Sequence, residues 1–363
     1  MSNWPDWLPL RPDLKGLTPY GAPQIKEVTA LNTNENPFPL PDKVVKEILD
    51  AITVEASNLN RYPDRDALEL REALANYINQ ENKSEFKSQN IWVANGSNEI
   101  LQTLALAFGS RGAIGFTPSY SMHPLIAKVC GVNWVEGARK TDFSIDSESA
   151  AKQISELKPS LVFVTTPNNP TGNAVDISLL KQLAAVAKSV NALLVIDEAY
   201  EEFSSIDSSV SLLKEFENVV VVRTMSKAFA LAGARVGYLV ANPIIVDAAL
   251  ITRLPYHLSW QTQAIAKVAL SNYQMLQSEV NLIISERKRV ASELRSLGLK
   301  VIESEANFLL FTGFSGDEKS VWEQLLIDKV LIRDVGIPGY LRVTIGTPNE
   351  NDQFLAAIAR HRP

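Results

Sequence analysis

Lys227 lies in the stretch "TMSKAFALAGARVGY", five residues after the last of four consecutive valines, Val219 to Val222. Arg235 follows eight residues later, just before another apolar run. Most lysines simply point to water, so this position alone decides nothing. Polar residues also follow directly on four other apolar runs. "TPNNPTG" with Asn169 follows "LVFVT", and "DEAY" with Asp197 and Tyr200 follows "LLVI". "NGSNE" with Gly96, Ser97, Asn98 and Glu99 follows "IWVA", and "TPSYSMH" with Tyr120 and His123 follows "AIGF". Singly, each has an ordinary explanation: Pro, Asn and Gly form turns, Asp caps helices, and tyrosine packs. Together they offer a lysine amine for a carbonyl, a carboxylate, an aromatic ring, and hydroxyls with a guanidinium for an anion.

The elements that must place these residues alternate along the chain. "IWVAN", "AIGFT", "LVFVT", "LLVID", "VVVVR" and "VGYLV" read as strands, most of them continuously apolar as strands buried on both faces are. Helical patterns lie between them: "SNEILQTLALAFG", "DISLLKQLAAVAKSV" and "NPIIVDAALIT", the first two with expected N-caps at Ser97 and Asp176. Strands alternating with helices predict a mainly parallel sheet covered on both faces. Ligands of such sheets bind beyond the carboxyl ends of the strands, where all five polar stretches fall. After Pro255 the rhythm changes to one long helical pattern from about Gln261 to Leu297, stopped by Gly298. It is followed by a strand "ANFLLF", a helix near "SVWEQLLIDKV", a strand "YLRVTIG" and a closing helix. Three parts are therefore expected: a proline-rich arm over 1–30, a large α/β domain over 31–255 that opens with two helices, and a smaller α+β domain over 256–363.

Bulk properties narrow the function further. The 363 residues carry a net charge of −6 with no basic stripe, which argues against a general nucleic-acid binder. No stretch reaches the roughly 18 to 20 apolar residues of a membrane span. The N-terminal segment lacks the order of a secretory signal, and the single cysteine, Cys130, suits a reducing cytoplasm. His123, His257 and His361 lack zinc-ligand spacing, so no metal site is expected. A non-catalytic nucleotide-binding module would need a glycine-rich phosphate loop, and neither GxGxxG nor GxxxxGK[ST] occurs.

Pyridoxal 5'-phosphate chemistry fits the whole set. Lys227 supplies the amine for the aldehyde, and Asp197 the carboxylate that keeps the pyridine nitrogen protonated. Ser97, Thr224, Ser226 and Arg235 offer phosphate ligands. Tyr120 suits the ring face, and Asn169 and Tyr200 the phenolic oxygen.

"NNPTG", "DEAY" and "TMSKAFALAGARVGY", in this order and spacing, resemble the fold-type I pyridoxal phosphate aminotransferases. More narrowly, the chain resembles the histidinol-phosphate aminotransferase family from "LTPYGAP" and "LNTNENP" through "NRYPD" to "IRDVG" and "LRVTIGT". The resemblance implies a large domain built on a mainly parallel seven-stranded sheet flanked by helices, with a small α+β domain. It implies amino transfer between histidinol phosphate and 2-oxoglutarate; an aromatic amino acid aminotransferase or a threonine-phosphate decarboxylase of the same fold is the alternative. By the same resemblance Lys227 carries the cofactor, Asp197 and Tyr120 serve it, and Gly96, Ser97, Asn98, Thr224, Ser226 and Arg235 hold its phosphate. Tyr62 would reach the phosphate of a neighbouring subunit in a homodimer with shared sites. Arg333 and Arg342 would grip substrate anions, and Tyr20, Asn36 and Asn169 would contact substrate. Two positions depart from the family pattern: Ser97-Asn98-Glu99, where many members have an aspartate, and His123, often a tyrosine.

Overall fold

A computed structural model describes residues 4–363. The first three residues of the expected arm lie outside the described residues. From Trp4 the chain runs without long regular structure to a short strand, β1 (Thr29–Ala30). The arm is anchored by Arg11, whose guanidinium donates to the carbonyls of Val129 (2.8 Å) and Lys128 (3.2 Å). Two helices follow, α1 (Asp42–Ala56) and α2 (Leu68–Asn82).

The central sheet has seven strands: β2 (Ile91–Ala94), β3 (Ala113–Thr117), β4 (Trp134–Ala138), β5 (Leu161–Thr165), β6 (Leu193–Asp197), β7 (Val219–Thr224) and β8 (Gly237–Ala241). Their order is β2-β8-β7-β6-β5-β3-β4, and β8 alone runs antiparallel to its neighbours. All residues of β2, β5, β7 and β8 are buried, as their unbroken apolar runs require. Six strands fall where the apolar runs predict them. The seventh, β4, is an edge strand of mixed burial, so "WVEGA" lacks the run that marked the others. Helices α3 (Ser97–Phe108), α4 (Met122–Val129), α5 (Ser147–Leu157) and α6 (Ile177–Ser189) connect the strands, and α7 (Pro243–Leu250) leads out of the sheet after β8. Two apolar clusters, one on each face, hold the layers together.

Two expectations about helices need correction. Asp176 does cap α6, accepting from the Ser178 N–H at 2.7 Å. Ser97, however, is the first residue of α3 and caps nothing; Gly96 holds the N-cap position with no side chain to offer. The long pattern after Pro255 is not one helix but two, α8 (Trp260–Ser271) and α9 (Tyr273–Ser296), broken at Asn272. Buried Asn272 spends its amide on Glu47 Oε2 (2.6 Å) and on the Val268 carbonyl (3.0 Å), tying the break to α1.

Beyond α9 a mixed layer forms from β9 (Lys300–Val301), β10 (Phe308–Thr312), α10 (Glu318–Ile327), β11 (Val330–Leu331), β12 (Arg333–Asp334), β13 (Tyr340–Thr344) and α11 (Pro348–Ile358). Its antiparallel four-stranded sheet runs β12-β13-β10-β9, while β11 pairs in parallel with β1. The chain's N-terminal segment is thereby stitched to its C-terminal part. Among the described residues no helix is long and apolar enough to cross a membrane.

Candidate active site

A cavity of about 620 Å³ opens beyond the carboxyl ends of β5, β6 and β7. It is lined by Thr165, Asp197 and Thr224, the last residues of these three strands. Lys227 comes from the turn after β7, and Ser97 and Asn98 from the start of α3. The opposite wall comes from the N-terminal segment and from β12 and β13, with Tyr20, Arg333 and Arg342. Residues more than 300 positions apart in sequence thus face one space.

Lys227 Nζ donates to the Thr33 carbonyl at 3.1 Å. Its pKa is pushed down to about 8, first by desolvation and then by Arg342, with Glu35 opposing. An amine so placed gives up its proton far more readily than a surface lysine. Asp197 is buried on the cavity floor, where Oδ2 lies 3.0 Å from His123 Nε2 and Oδ1 accepts from the Ala199 N–H (3.2 Å). The His123 ring is itself held against Tyr120, Trp134 and Phe163. The sequence marks His123 only as a departure from the family pattern. The structure places it behind Asp197, as the group that fixes the carboxylate.

Near Arg235, Thr224 Oγ1 and Ser226 Oγ are 2.9 Å apart and both buried. Arg235 donates to the Ala232 carbonyl at 3.1 Å and lies 3.5 Å from Ser226 Oγ, with donors to spare. Its backbone is left-handed, with φ of 56°, a conformation a non-glycine residue holds at a cost. Gly96 backs this corner. A Cβ there would sit 2.5 Å from an Arg235 guanidinium nitrogen, and one at Gly237 only 2.2 Å from Ser97 N. The glycines let the start of α3 approach Arg235, and the first N–H groups of a helix suit an anion. Asn98 Oδ1 accepts from the Tyr120 hydroxyl (3.2 Å), setting that ring at the cavity wall. Burial raises the Tyr120 phenol well above its ordinary range, so it stays neutral.

Asn169 is held by the loop around Asn168, which accepts from Ser119 Oγ (2.9 Å) and Arg139 (3.1 Å). Asn169 donates to Tyr200 Oη (3.2 Å) and accepts from Arg342 at 2.6 Å. Arg342 is buried, with a second donor on the Asn32 carbonyl (2.8 Å) and its Nε without any partner. Burial, helped by Arg333, pushes its pKa down to about 10, which leaves it a cation at neutral pH. Arg333 lines the same wall, half-buried.

Asn36 and Tyr62 stand apart from the other expected residues. Asn36 does not line the cavity; its side-chain Oδ1 accepts from the Phe38 N–H (3.0 Å). Its neighbour Asn34 does, donating to Tyr200 Oη (3.0 Å) and accepting from Thr344 Oγ1 (3.0 Å). Asn34 follows a bend and has a left-handed backbone (φ 55°), so no strand alternation in "LNTNENP" separates it from Asn36 two positions on. Tyr62 is 75% exposed and stacks on Tyr256, ring centroids 4.4 Å apart, outside the cavity.

An amine, a carboxylate and an anion cradle beyond a mainly parallel sheet define a site for amine chemistry on a phosphorylated aldehyde. The chain belongs to the aminotransferase class I and II family, whose description matches residues 26–358. It is 51% identical over 358 residues to a histidinol-phosphate aminotransferase of Mycobacterium marinum, covering 98% of this chain and 93% of that one. Among solved structures it is similar to the Sinorhizobium meliloti histidinol-phosphate aminotransferase in complex with pyridoxal-5'-phosphate. There the identity is 25%, the TM-score 0.82, and the coverage 97% of each chain. Thermus thermophilus aspartate aminotransferase with maleate is 26% identical, with a TM-score of 0.80 over 92% of this chain and 91% of that one.

The donor set fits pyridoxal phosphate. Thr224, Ser226, Arg235 and the start of α3 suit its phosphate, while Lys227 and Asp197 line the cavity in which its ring would lie. Tyr200 Oη, flanked by the Asn34 and Asn169 amides, suits its phenolic oxygen.

Proposed function

We propose that the chain transfers an amino group reversibly between L-histidinol phosphate and 2-oxoglutarate, with pyridoxal phosphate as cofactor. Bound, the cofactor supplies an electron-accepting ring that stabilises negative charge at the amine-bearing carbon. Lys227 holds the cofactor and, as a partly desolvated amine, moves the proton at the substrate Cα. Asp197, fixed by His123, serves the ring nitrogen. Tyr120, at the cavity wall, would lie against the ring and keep water from it. Arg342 and Arg333 receive the substrate's anionic group, phosphate in one half-reaction and carboxylate in the other, because a guanidinium fork suits both.

One observation carries this reading. A desolvated lysine, a buried carboxylate and two arginines line one cavity, in a chain half identical to histidinol-phosphate aminotransferases. The test compares turnover of L-histidinol phosphate with that of L-phenylalanine and O-phospho-L-threonine. Histidinol phosphate should lead by tenfold or more in kcat/KM, with no CO₂ released from phosphothreonine. A lead for phenylalanine, or decarboxylation, would overturn it.

The shared-site homodimer belongs to the same proposal. Two facts support it. The segments around Tyr62 and Tyr256 are joined by the ring stack and by an ion pair between Arg253 and Asp66 (2.6 Å). Ile251 and Leu254 beside them are 83% and 72% exposed, an apolar surface that suits a second copy. Residues 1–30 as arm, 31–255 as large domain and 256–363 as small domain, in the cytoplasm, complete the picture.

A further inference from the structure

Arg342 and Thr344 lie two positions apart on β13, so their side chains leave the strand on the same face. Each is bonded to a different asparagine amide, and both amides reach the same tyrosine. Arg342 donates to Asn169 Oδ1 at 2.6 Å. A guanidinium cannot accept, so the carbonyl end of that amide must face it, and the N–H end must face Tyr200 Oη, 3.2 Å away. Thr344 fixes Asn34 in the same sense. Its Oγ1 accepts from the Asn34 backbone N–H (3.0 Å) and donates to Asn34 Oδ1 (3.0 Å). The N–H end of the Asn34 amide is thereby left on Tyr200 Oη, at 3.0 Å. Asn34 and Thr344 are both buried, and the Thr344 hydroxyl donates to nothing else among the described residues.

Tyr200 Oη therefore receives two N–H groups, and its own proton has no acceptor among the described residues. Tyr200 is 4% exposed and lines the cavity, so this proton is kept for what the cavity holds. Burial raises the phenol above its ordinary pKa, which keeps the proton in place. Turning either amide over would put a carbonyl on Tyr200 Oη, and that carbonyl would take the proton instead. Arg342 forbids the turn at Asn169; at Asn34 the one group opposing it is the Thr344 hydroxyl.

We propose that Thr344 is a positioning residue of the site: by holding the Asn34 carbonyl it leaves the Tyr200 proton free for the phenolic oxygen of the cofactor. This rests on the functional reading above, and it adds how the second sheet controls the charge on that oxygen. A donor at the oxygen stabilises its anionic form. The cofactor joined to Lys227 then loses its proton, and changes colour, at a lower pH.

The test is a pH titration of the visible absorption of the pyridoxal phosphate-loaded protein. Wild type, Thr344→Val, Thr344→Ser and Asn34→Asp are compared, each with and without Tyr200→Phe. Valine removes the hydroxyl that holds Asn34, and the midpoint of the colour change should rise by about half a unit or more. Serine keeps the hydroxyl and should stay within about 0.2 units of wild type. Asn34→Asp sets a group that only accepts against Tyr200, so it should shift the midpoint further than valine does, and it reads the same bond if the valine variant does not fold. With Tyr200→Phe in place, Thr344→Val should add nothing and Asn34→Asp should add less, because no proton is left to aim. A purely structural role would give equal shifts in both backgrounds; equal shifts, or none, overturn the assignment. A wild-type protein that takes up no pyridoxal phosphate would remove the functional reading instead. Thr344 is then decided by NMR of the cofactor-free protein. The Asn34 side-chain amide protons should exchange slowly with water in wild type and in Thr344→Ser, and about tenfold or more faster in Thr344→Val. Equal exchange in all three would overturn the assignment.

Discussion

The two walls of the cavity are built in different ways. The cofactor wall comes from strand ends of one sheet, with Asp197, Thr224 and Ser226 all buried and each hydrogen-bonded within its own neighbourhood. The substrate wall is assembled from the N-terminal segment and the second sheet, with Tyr20 52% exposed and Arg333 held only part-way in. Rigid placement suits a resident cofactor, which must meet the same groups in both half-reactions. A looser wall suits two substrates of different shape that must enter and leave in turn. Changes on the first wall should therefore strike rate, and changes on the second should strike affinity and selectivity.

Lys227→Ala is the largest expected effect. Turnover should drop by about 1,000-fold or more, since in the proposed reaction the residue would both anchor the cofactor and handle a proton, and mass spectrometry after borohydride reduction should find no cofactor fixed to the chain. Asp197→Asn comes next, with kcat about 100-fold lower. His123→Asn, which leaves the carboxylate but loosens it, should cost about tenfold in kcat and move the absorption maximum of the bound cofactor, as kinetics and visible spectra would show. On the opposite wall, Arg342→Lys should raise KM for both substrates by about 10- to 100-fold, as expected for losing a charge-assisted fork. Steady-state kinetics would reverse the comparison if kcat fell and KM held.

The lowered pKa of Lys227 also predicts how the apoprotein reacts. Only the neutral amine attacks the aldehyde, so covalent loading should speed up through pH about 8 and level off above it, rather than climb towards 10.5. Stopped-flow loading across pH 6 to 10 reads this directly.

The smallest effect lies away from the site. The carboxylate oxygens of Glu202 are buried without hydrogen-bond partners, and burial pushes its pKa up to about 8. Between about pH 4.5 and 8 the folded chain binds this proton more tightly than the unfolded chain does, so stability falls as pH rises through that window. Glu202→Gln should flatten that fall, seen as a higher melting temperature at pH 8.5 and little change at pH 5.

The same division governs what the amino-acid order makes legible. Buried strands announce themselves through runs such as Val219–Val222, and the polar residue after each run is placed by the sheet. Which residues the sheet turns towards the cavity was accordingly readable almost residue by residue. Strand β4 was not, because an edge strand with one wet face needs no such run. The helix break at Asn272 was hidden because the apolar periodicity continues across it; only the tertiary bond to Glu47 explains it. His123 was visible as a residue but not as a partner, since Asp197 lies 74 positions away. Around "LNTNENP" the choice between Asn34 and Asn36 was not legible, because the segment is no strand and the left-handed backbone at Asn34 (φ 55°) sets which side chain turns inward.

The central claim is that Lys227 and Asp197 serve one cofactor in a cavity made for histidinol phosphate. Titrating the cofactor-loaded protein with L-histidinol phosphate, without 2-oxoglutarate, tests it most directly. The long-wavelength absorption of the lysine-bound cofactor should disappear stoichiometrically in favour of the shorter-wavelength amine form, and 2-oxoglutarate should restore it. A spectrum that does not respond, or that responds equally with Lys227 replaced by alanine, would contradict the claim.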